Sequence, residues 1–459
     1  MSYITSGQAH QIRMMYGGNP NHDSFQEMLQ TFGQLVENKV LPAEKKTEME
    51  RAQDSLKSLA FQLSQSGKYD QQALETAIAQ TKKNEKIPDA VYRQIADFGL
   101  PSMAFSEQLG GLEIPYPVFM ACLETLGKAS PSVGVRYAIS NTVAEGLRFN
   151  FEAGQLSGYG ESILRELIAG EKLAGFALTE GSAAGSNIMR EMTTRGVPLK
   201  NGSGYRITGG KMFITNVETA DVFAVFARTS EPAEDDLGIS MFLVEKGTPG
   251  FKVGQVFEKR TVENSSLGEL ILDDVEVSQE NLVGEMGCGA PYAIRMLNSG
   301  RITIAALATG LAQRAFDEYL EVAVEGKKLG DQYLIELDRT QARVAEMSME
   351  IHAARDMTYH AAWLKIQFDA NPDNRELLRD YVIASNAAKL KASLATQQAC
   401  DHLVKIWGAS AIIKENPAMK HSLDSWLYYF GEAVPEVLEN TIAHMEVKKY
   451  QKAKGLQDT

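Results

Sequence analysis

The sequence predicts an α+β chain in three parts: a helical N-terminal domain over 1–172, a central antiparallel β domain over 173–284 and a C-terminal four-helix bundle over 285–459. Three observations predict it. Apolar residues recur at three- and four-residue steps in the first third; the middle third changes to short runs rich in β-branched and aromatic residues; the helical period then returns and stays. Helices, then a sheet, then a bundle is an uncommon order of elements, and it narrows the fold.

In the first part, Phe25, Met28, Leu29, Phe32, Leu35, Val36 and Val40 mark a helix from 25 to 41 that Pro42 is expected to stop. Residues 43–85 are rich in Lys, Glu, Gln and Ser with modest stripes such as Leu56, Leu59, Ala60 and Leu63, and read as a helical insert or a linker. IPDAVYRQIADFGL forms the next helix, SEQLGG a turn, and PVFMACLETLGKA and ESILRELIAGEK two more helices. In the second part YRITGGKMFITN, DVFAVFART, ISMFLVEK and GELILDDVEV are strands punctuated by Gly, Asp and Asn. In the third, helices are expected at about 289–326, 334–369 and 374–408, with a final one over 435–452; Val344, Met347, Ile351 and Ala354 give one of the stripes.

Composition excludes several function classes. The 459 residues are 44% hydrophobic with a formal net charge of −13. Lys and Arg are spread along the chain, which argues against a nucleic-acid footprint. Cys122, Cys288 and Cys400 stand far apart and make neither a disulfide framework nor, with any His, a metal set. The start MSYITSGQAHQIRMMYGG lacks a signal-peptide core, and no run of eighteen apolar residues follows. The expectation is a cytoplasmic protein with no membrane span and no metal.

Three stretches can carry chemistry. In FALTEGSAAGSN (176–187), small residues let backbone N–H groups approach a ligand, and the Thr179 and Ser186 hydroxyls can donate; taken alone, the stretch reads first as an ordinary Gly/Ser loop. In KMFITN (211–216), Phe213 and Thr215 stand two apart, so on a regular strand they share a face where a ring covers a planar cofactor and a hydroxyl bonds its edge; the plain alternative is a sheet face with a Thr on it. In FGEAVPEVLENTIAH (430–444), Glu432 follows the aromatic run Trp426, Tyr428, Tyr429 and Phe430, and taken alone is a helix start with Glu436 and Glu439 on the same face.

Taken in order with AD (220–221), GISMFLVEKGTPGF, LDDVEVSQENLVGE, Arg301 near the head of a long helix, and MEIHAARDMTYHAAWL, these stretches resemble the acyl-CoA dehydrogenase family of flavoproteins, from about residue 86 to the C-terminus. The resemblance implies an acyl-CoA dehydrogenase-like fold with FAD between the β domain and the bundle. Phe176, Leu178, Thr179, Phe213 and Thr215 match flavin-contacting positions, Gly185 and Ser186 lie in a loop near the flavin and CoA phosphates, and Asn298 and Arg301 match positions that meet the CoA arm. Glu432 falls where many members keep their catalytic base. Its place on the bundle helix in other members is held here by Gly300. The implied activity is α,β-dehydrogenation of an acyl-CoA thioester, with Glu432 removing the α-proton and flavin N5 taking the β-hydride. A Glu in a dry pocket has its charged form disfavoured, so its pKa rises into the range useful for proton abstraction. The resemblance also implies an electron-transfer flavoprotein as acceptor and a homo-oligomer, dimer or tetramer, built on the bundle.

The chain departs from the family's pattern in one half of the flavin site. Ala433, Val434 and Glu436 replace the usual Gly, Thr and Gln; Gly326 and Leu329 replace an Arg and a Phe; Lys405 and GASA (408–411) replace a Gln and GGxG. These positions face adenine and pyrophosphate in the family. They suggest a second function, a non-catalytic or half-catalytic subunit of a hetero-oligomeric acyl-CoA dehydrogenase; a flavin monooxygenase on the same fold is a third.

Overall fold

A computed structural model describes residues 22–43, 89–181, 188–230, 235 and 237–456. The 43–85 segment, apart from Ala43, lies outside the described residues, as do Gly185 and Ser186. Helix α1 (His22–Leu35) passes into a π turn, Val36–Val40, whose Leu41 N–H reaches back to the Val36 carbonyl, and helical backbone resumes at 41–43. Pro42 therefore does not stop the helix. It has no N–H to give and its ring crowds the carbonyl four residues back, so a wider turn ahead of it accommodates the ring.

Helix α2 (Asp89–Asp97) follows, SEQLGG closes a 3₁₀ turn with Gly110 at φ +85°, and α3 (Tyr116–Ala129), α4 (Pro131–Glu152) and α5 (Gly158–Ile168) complete the N-terminal helices. The 22-residue α4 is not among the predicted helices. Only Arg136, Ile139, Phe151 and Glu152 escape full burial, so no polar face alternates with an apolar one and periodicity has nothing to detect. Ser130 caps it by accepting the Val133 N–H at 3.3 Å, with Pro131 at the first helical position.

The sheet contains β1 (Ala174–Ala177), β2 (Arg195–Pro198), β3 (Gly204–Thr215), β4 (Val222–Arg228), β5 (Ile239–Glu245), β6 (Phe251–Val256), β7 (Leu267–Ser278) and β8 (Leu282–Val283). Its order is β6-β7-β3-β2-β4-β5-β8, with β1 also on β4. The ladders are antiparallel except along one edge of β4, where β1 runs parallel and β2 meets it at the single pair Arg195↔Arg228. Strands β1 and β4 are far apart in the chain, so no tight hairpin forces them antiparallel. Strand β4 is buried on both faces: Val222, Ala224 and Phe226 pack toward the helices, while Phe223, Val225 and Ala227 pack toward β3, β5 and β7. Hence its unbroken apolar run.

The C-terminal third holds α6 (Gly289–Glu321), continued by a π turn to Gly326, then α7 (Asp338–Ala370), α8 (Arg375–Trp407), α9 (Ala418–Phe430) and α10 (Pro435–Ala453). The aromatic run before Glu432 is thus the last turn of a separate helix, α9. Helices α3 and α6 cross at backbone contact. A Cβ on Gly127 would lie 2.1 Å from the Leu307 carbonyl oxygen, and one on Gly310 would lie 2.0 Å from that of Glu124. One continuous core joins α1 to α4 with α6, α7 and α8.

Candidate active site

The site is built at the turn between α9 and α10. Glu432 and Ala433 both have positive φ, +57° and +129°, a strained pairing for two side-chain-bearing residues. Glu432 is therefore not the start of α10; it precedes that helix in a left-handed turn. The turn turns its carboxylate onto α6, where Gly300 has no side chain to oppose it. A Cβ at 300 would sit 2.1 Å from Oε2 and 2.2 Å from Oε1.

Three neighbours surround the turn. From α4, the Thr142 hydroxyl donates to Glu432 Oε1 at 3.5 Å; from α6, Arg301 Nε donates to the Glu432 main-chain oxygen at 3.3 Å. From α8, the fully buried Lys389 donates to the carbonyls of Tyr429 at 3.0 Å and Ala433 at 2.6 Å. Oε2 is cut off from solvent with no hydrogen-bond donor among the described residues. Such an orphaned carboxylate oxygen costs on the order of 1–3 kcal/mol, and one retained in a native fold calls for a use. Burial raises the Glu432 pKa to about 8, with Arg301, Lys389 and Thr142 opposing the rise. Burial likewise lowers Arg301 from its ordinary value, against the pull of Glu432 and Tyr381.

Asn298 and Arg301 come to the same place. Both are buried, and Arg301 Nη1 donates to Asn298 Oδ1 at 2.9 Å. Sequence reasoning missed Thr142 and Lys389. Thr142 lies on the unpredicted α4, and Lys389 is one of many lysines along the chain; only the fold singles them out. A cavity of about 380 Å³ lies elsewhere along α4, lined by Arg136, Tyr137, Ser140 and Asn141, and Glu432 is not in its wall.

The two β-domain stretches also meet. The Met212 N–H donates to the Thr179 carbonyl at 2.9 Å, and Lys211 Nζ donates to the Leu178 carbonyl at 3.2 Å and to Glu180 Oε1 at 2.7 Å. Glu180 also accepts the Thr193 and Thr194 N–H groups at 2.7 and 3.0 Å. Burial pushes the Glu180 pKa up, but Lys211 and these bonds outweigh it and bring it to about 2. Phe176 packs edge-on against Phe226 with centroids 5.3 Å apart, and Leu178 is buried. Phe213 does not sit on a regular strand. It has φ +59° in a bulge where Met212 and Phe213 oppose the single residue Glu269, so simple alternation with Thr215 does not apply. The ring is 57% exposed beside Phe257, while Thr179 and Thr215 are partly accessible. An exposed ring held at a strained bulge, in a segment joined by a main-chain bond to Thr179, fits a planar aromatic cofactor.

Family models of the acyl-CoA dehydrogenase N-terminal, middle and C-terminal domains match residues 65–150, 175–275 and 287–446. A probable acyl-CoA dehydrogenase, YngJ of Bacillus subtilis, is 32% identical over 79% of this chain and 91% of its own length. The chain belongs to the acyl-CoA dehydrogenase family. Among solved structures, butyryl-CoA dehydrogenase of Megasphaera elsdenii superimposes with a TM-score of 0.76 at 24% identity, covering 92% of this chain and 98% of that one. An acyl-CoA dehydrogenase from Bacillus anthracis complexed with FAD gives 0.76 at 22% identity, covering 94% and 68%. These confirm the acyl-CoA dehydrogenase fold, and the family places the chain among oxidoreductases acting on a CH–CH pair. Among the described residues no group of His, Cys, Asp and Glu could hold a metal, and no helix is long and apolar enough to cross a membrane.

Proposed function

We propose that this acyl-CoA dehydrogenase uses FAD to convert a saturated acyl-CoA thioester into its α,β-unsaturated form, with Glu432 as the base. The observation that carries the reading is the Glu432 carboxylate, seated on Gly300 with Oε2 buried and undonated. Hydrogen bonds lower the basicity of a carboxylate, so an oxygen without a donor is suited to take a proton from carbon. Phe176, Leu178, Thr179, Phe213 and Thr215 would hold the isoalloxazine ring, with Gly185 and Ser186 on the adjoining loop. FAD, when bound, supplies the hydride acceptor. Glu432 takes the α-proton onto Oε2, Thr142 fixes the other oxygen, and Arg301 with Asn298 holds the main chain of the turn while lying along the CoA approach. The domain limits 1–172, 173–284 and 285–459, an electron-transfer flavoprotein acceptor and a homo-oligomer belong to the same proposal.

The test is Glu432→Gln in the flavin-loaded protein. Flavin content is expected to persist while anaerobic bleaching by acyl-CoA slows by at least about 10³-fold, and a variant that bleaches at the normal rate would remove Glu432 from the role.

A second reading, a subunit that completes its flavin site with a related chain, is favoured by one observation. Lys327, which follows the Gly326 that replaces the family's Arg, spends its charge on the Ile406 and Trp407 carbonyls at the end of α8, at 3.3 and 2.6 Å. Protein purified alone that stays colourless after FAD addition would support this reading over the first.

A further inference from the structure

Lys389 stands apart from the other lysines of the chain. It lies mid-way along α8, is fully excluded from solvent, and directs its ammonium at two main-chain carbonyls rather than at an acidic side chain. Those carbonyls bracket Glu432. Tyr429 belongs to the last turn of α9, whose terminal carbonyls have no helical partners and attract a cation. Ala433 carries the less ordinary of the two positive φ angles. Arg301 of α6 donates to the carbonyl between them, that of Glu432. The strained turn, tied at its ends by the Gly431 N–H to the Leu427 carbonyl and by the Val434 carbonyl to α10, is thus clamped at its centre by two buried cations from different helices.

We propose that Lys389 is a positioning residue for the base: it pins the 430–434 turn so that the Glu432 carboxylate rests on Gly300, and its positive charge favours ionisation of that carboxylate. The inference rests on the reading of Glu432 as base. The groups that face the ammonium are Glu432 and Arg301, with Tyr381 and Thr142 next to those two. Burial lowers Lys389 to about 7, Glu432 opposing the shift and Arg301 adding to it. The two groups act on each other: Glu432 opposes the lowering of Lys389, and Lys389 opposes the raising of Glu432.

The experiment follows the rate of anaerobic flavin reduction by saturated acyl-CoA thioesters against pH, in flavin-loaded wild type, Lys389→Met, Lys389→Gln and Glu432→Gln. Met keeps the length and apolar stem but removes donor and charge; Gln keeps a donor and removes only the charge. The rate depends on ionised Glu432, so it rises with pH. Without the ammonium the carboxylate is harder to ionise, and the rising limb is expected to move up by about one pH unit in both variants, a roughly tenfold loss at a fixed pH on the limb. The plateau rate should fall further in Met than in Gln, because only Met leaves the two carbonyls undonated. A buried helix cap with no bearing on the base would lower thermal stability and leave the limb where it is. A folded, flavin-bearing Met or Gln variant with an unmoved limb overturns the proposal, and if Met fails to hold flavin the Gln limb decides. Glu432→Gln keeps the two readings separate: if it still reduces flavin, the base assignment falls regardless of Lys389, whereas if it is inert and the Lys389 variants behave as wild type, Lys389 alone is wrong.

Discussion

At the residue scale the proposed chemistry turns on a single carboxylate. Glu432 was legible in the sequence only through its position relative to a family pattern, since periodicity by itself makes it the start of α10. The structure supplies what composition could not: a left-handed backbone, a partner position without a side chain, and one oxygen shut away from water. Thr142 and Lys389 could not be found beforehand, because each is brought to Glu432 across 290 and 43 positions of chain by helix packing. With its pKa raised to about 8, Glu432 is mostly protonated at pH 7 and mostly ionised at pH 9. Turnover limited by proton abstraction is therefore expected to rise about tenfold across that span, and a profile already flat at pH 7 would contradict the burial of the carboxylate. The measurement is flavin reduction by saturating thioester at a series of pH values.

Elements position what the residues do. Strands announced themselves in β3, β4, β5 and β7 because their apolar runs are bounded by Gly, Asp and Asn; β1, β2 and β8 are two to four residues long and carry too few positions for a period to register. The FALTE and KMFITN stretches were singled out separately, and the fold joins them through Lys211 and Glu180, whose side chains are 0% and 2% exposed. This buried pair anchors the two stretches to each other. Removing its cation with Lys211→Met leaves a carboxylate buried without its partner and is expected to cost about 3–5 kcal/mol, read as a lower denaturation midpoint with looser flavin retention. Glu180 has its folded pKa brought from 4.5 to about 2, so its contribution is complete above pH 4.5 and drains away as pH falls toward 2. Wild type should accordingly lose stability through that window, and the Lys211→Met variant should lose less of it there, since its carboxylate is no longer held ionised. Helix α4 shows the opposite limit of legibility: it touches Glu432 through Thr142, yet its near-complete burial erased the pattern by which helices are recognised.

For the molecule as a whole, the order helices, sheet, helices was readable because each change of period spans tens of residues. How the first and last parts meet was not. That contact depends on Gly127 and Gly310, and nothing in their neighbourhoods marks them as different from other helical glycines until Leu307 and Glu124 are seen pressed against them. Gly310→Ala places a methyl carbon 2.0 Å from a main-chain oxygen that cannot rotate away, so the helices have to separate. A destabilisation of about 1–3 kcal/mol is expected in chemical denaturation, and an unchanged midpoint would show that the crossing has slack.

Where two rods touch at bare backbone, as at Gly127 and Gly310, no side chain stands between them to act as a bearing, and rolling or ratcheting there is resisted. The N-terminal helices and the bundle must travel as one slab. Breathing is thereby left to the β domain, and amide exchange should be slowest at the α3–α6 seam and fastest where the sheet abuts it.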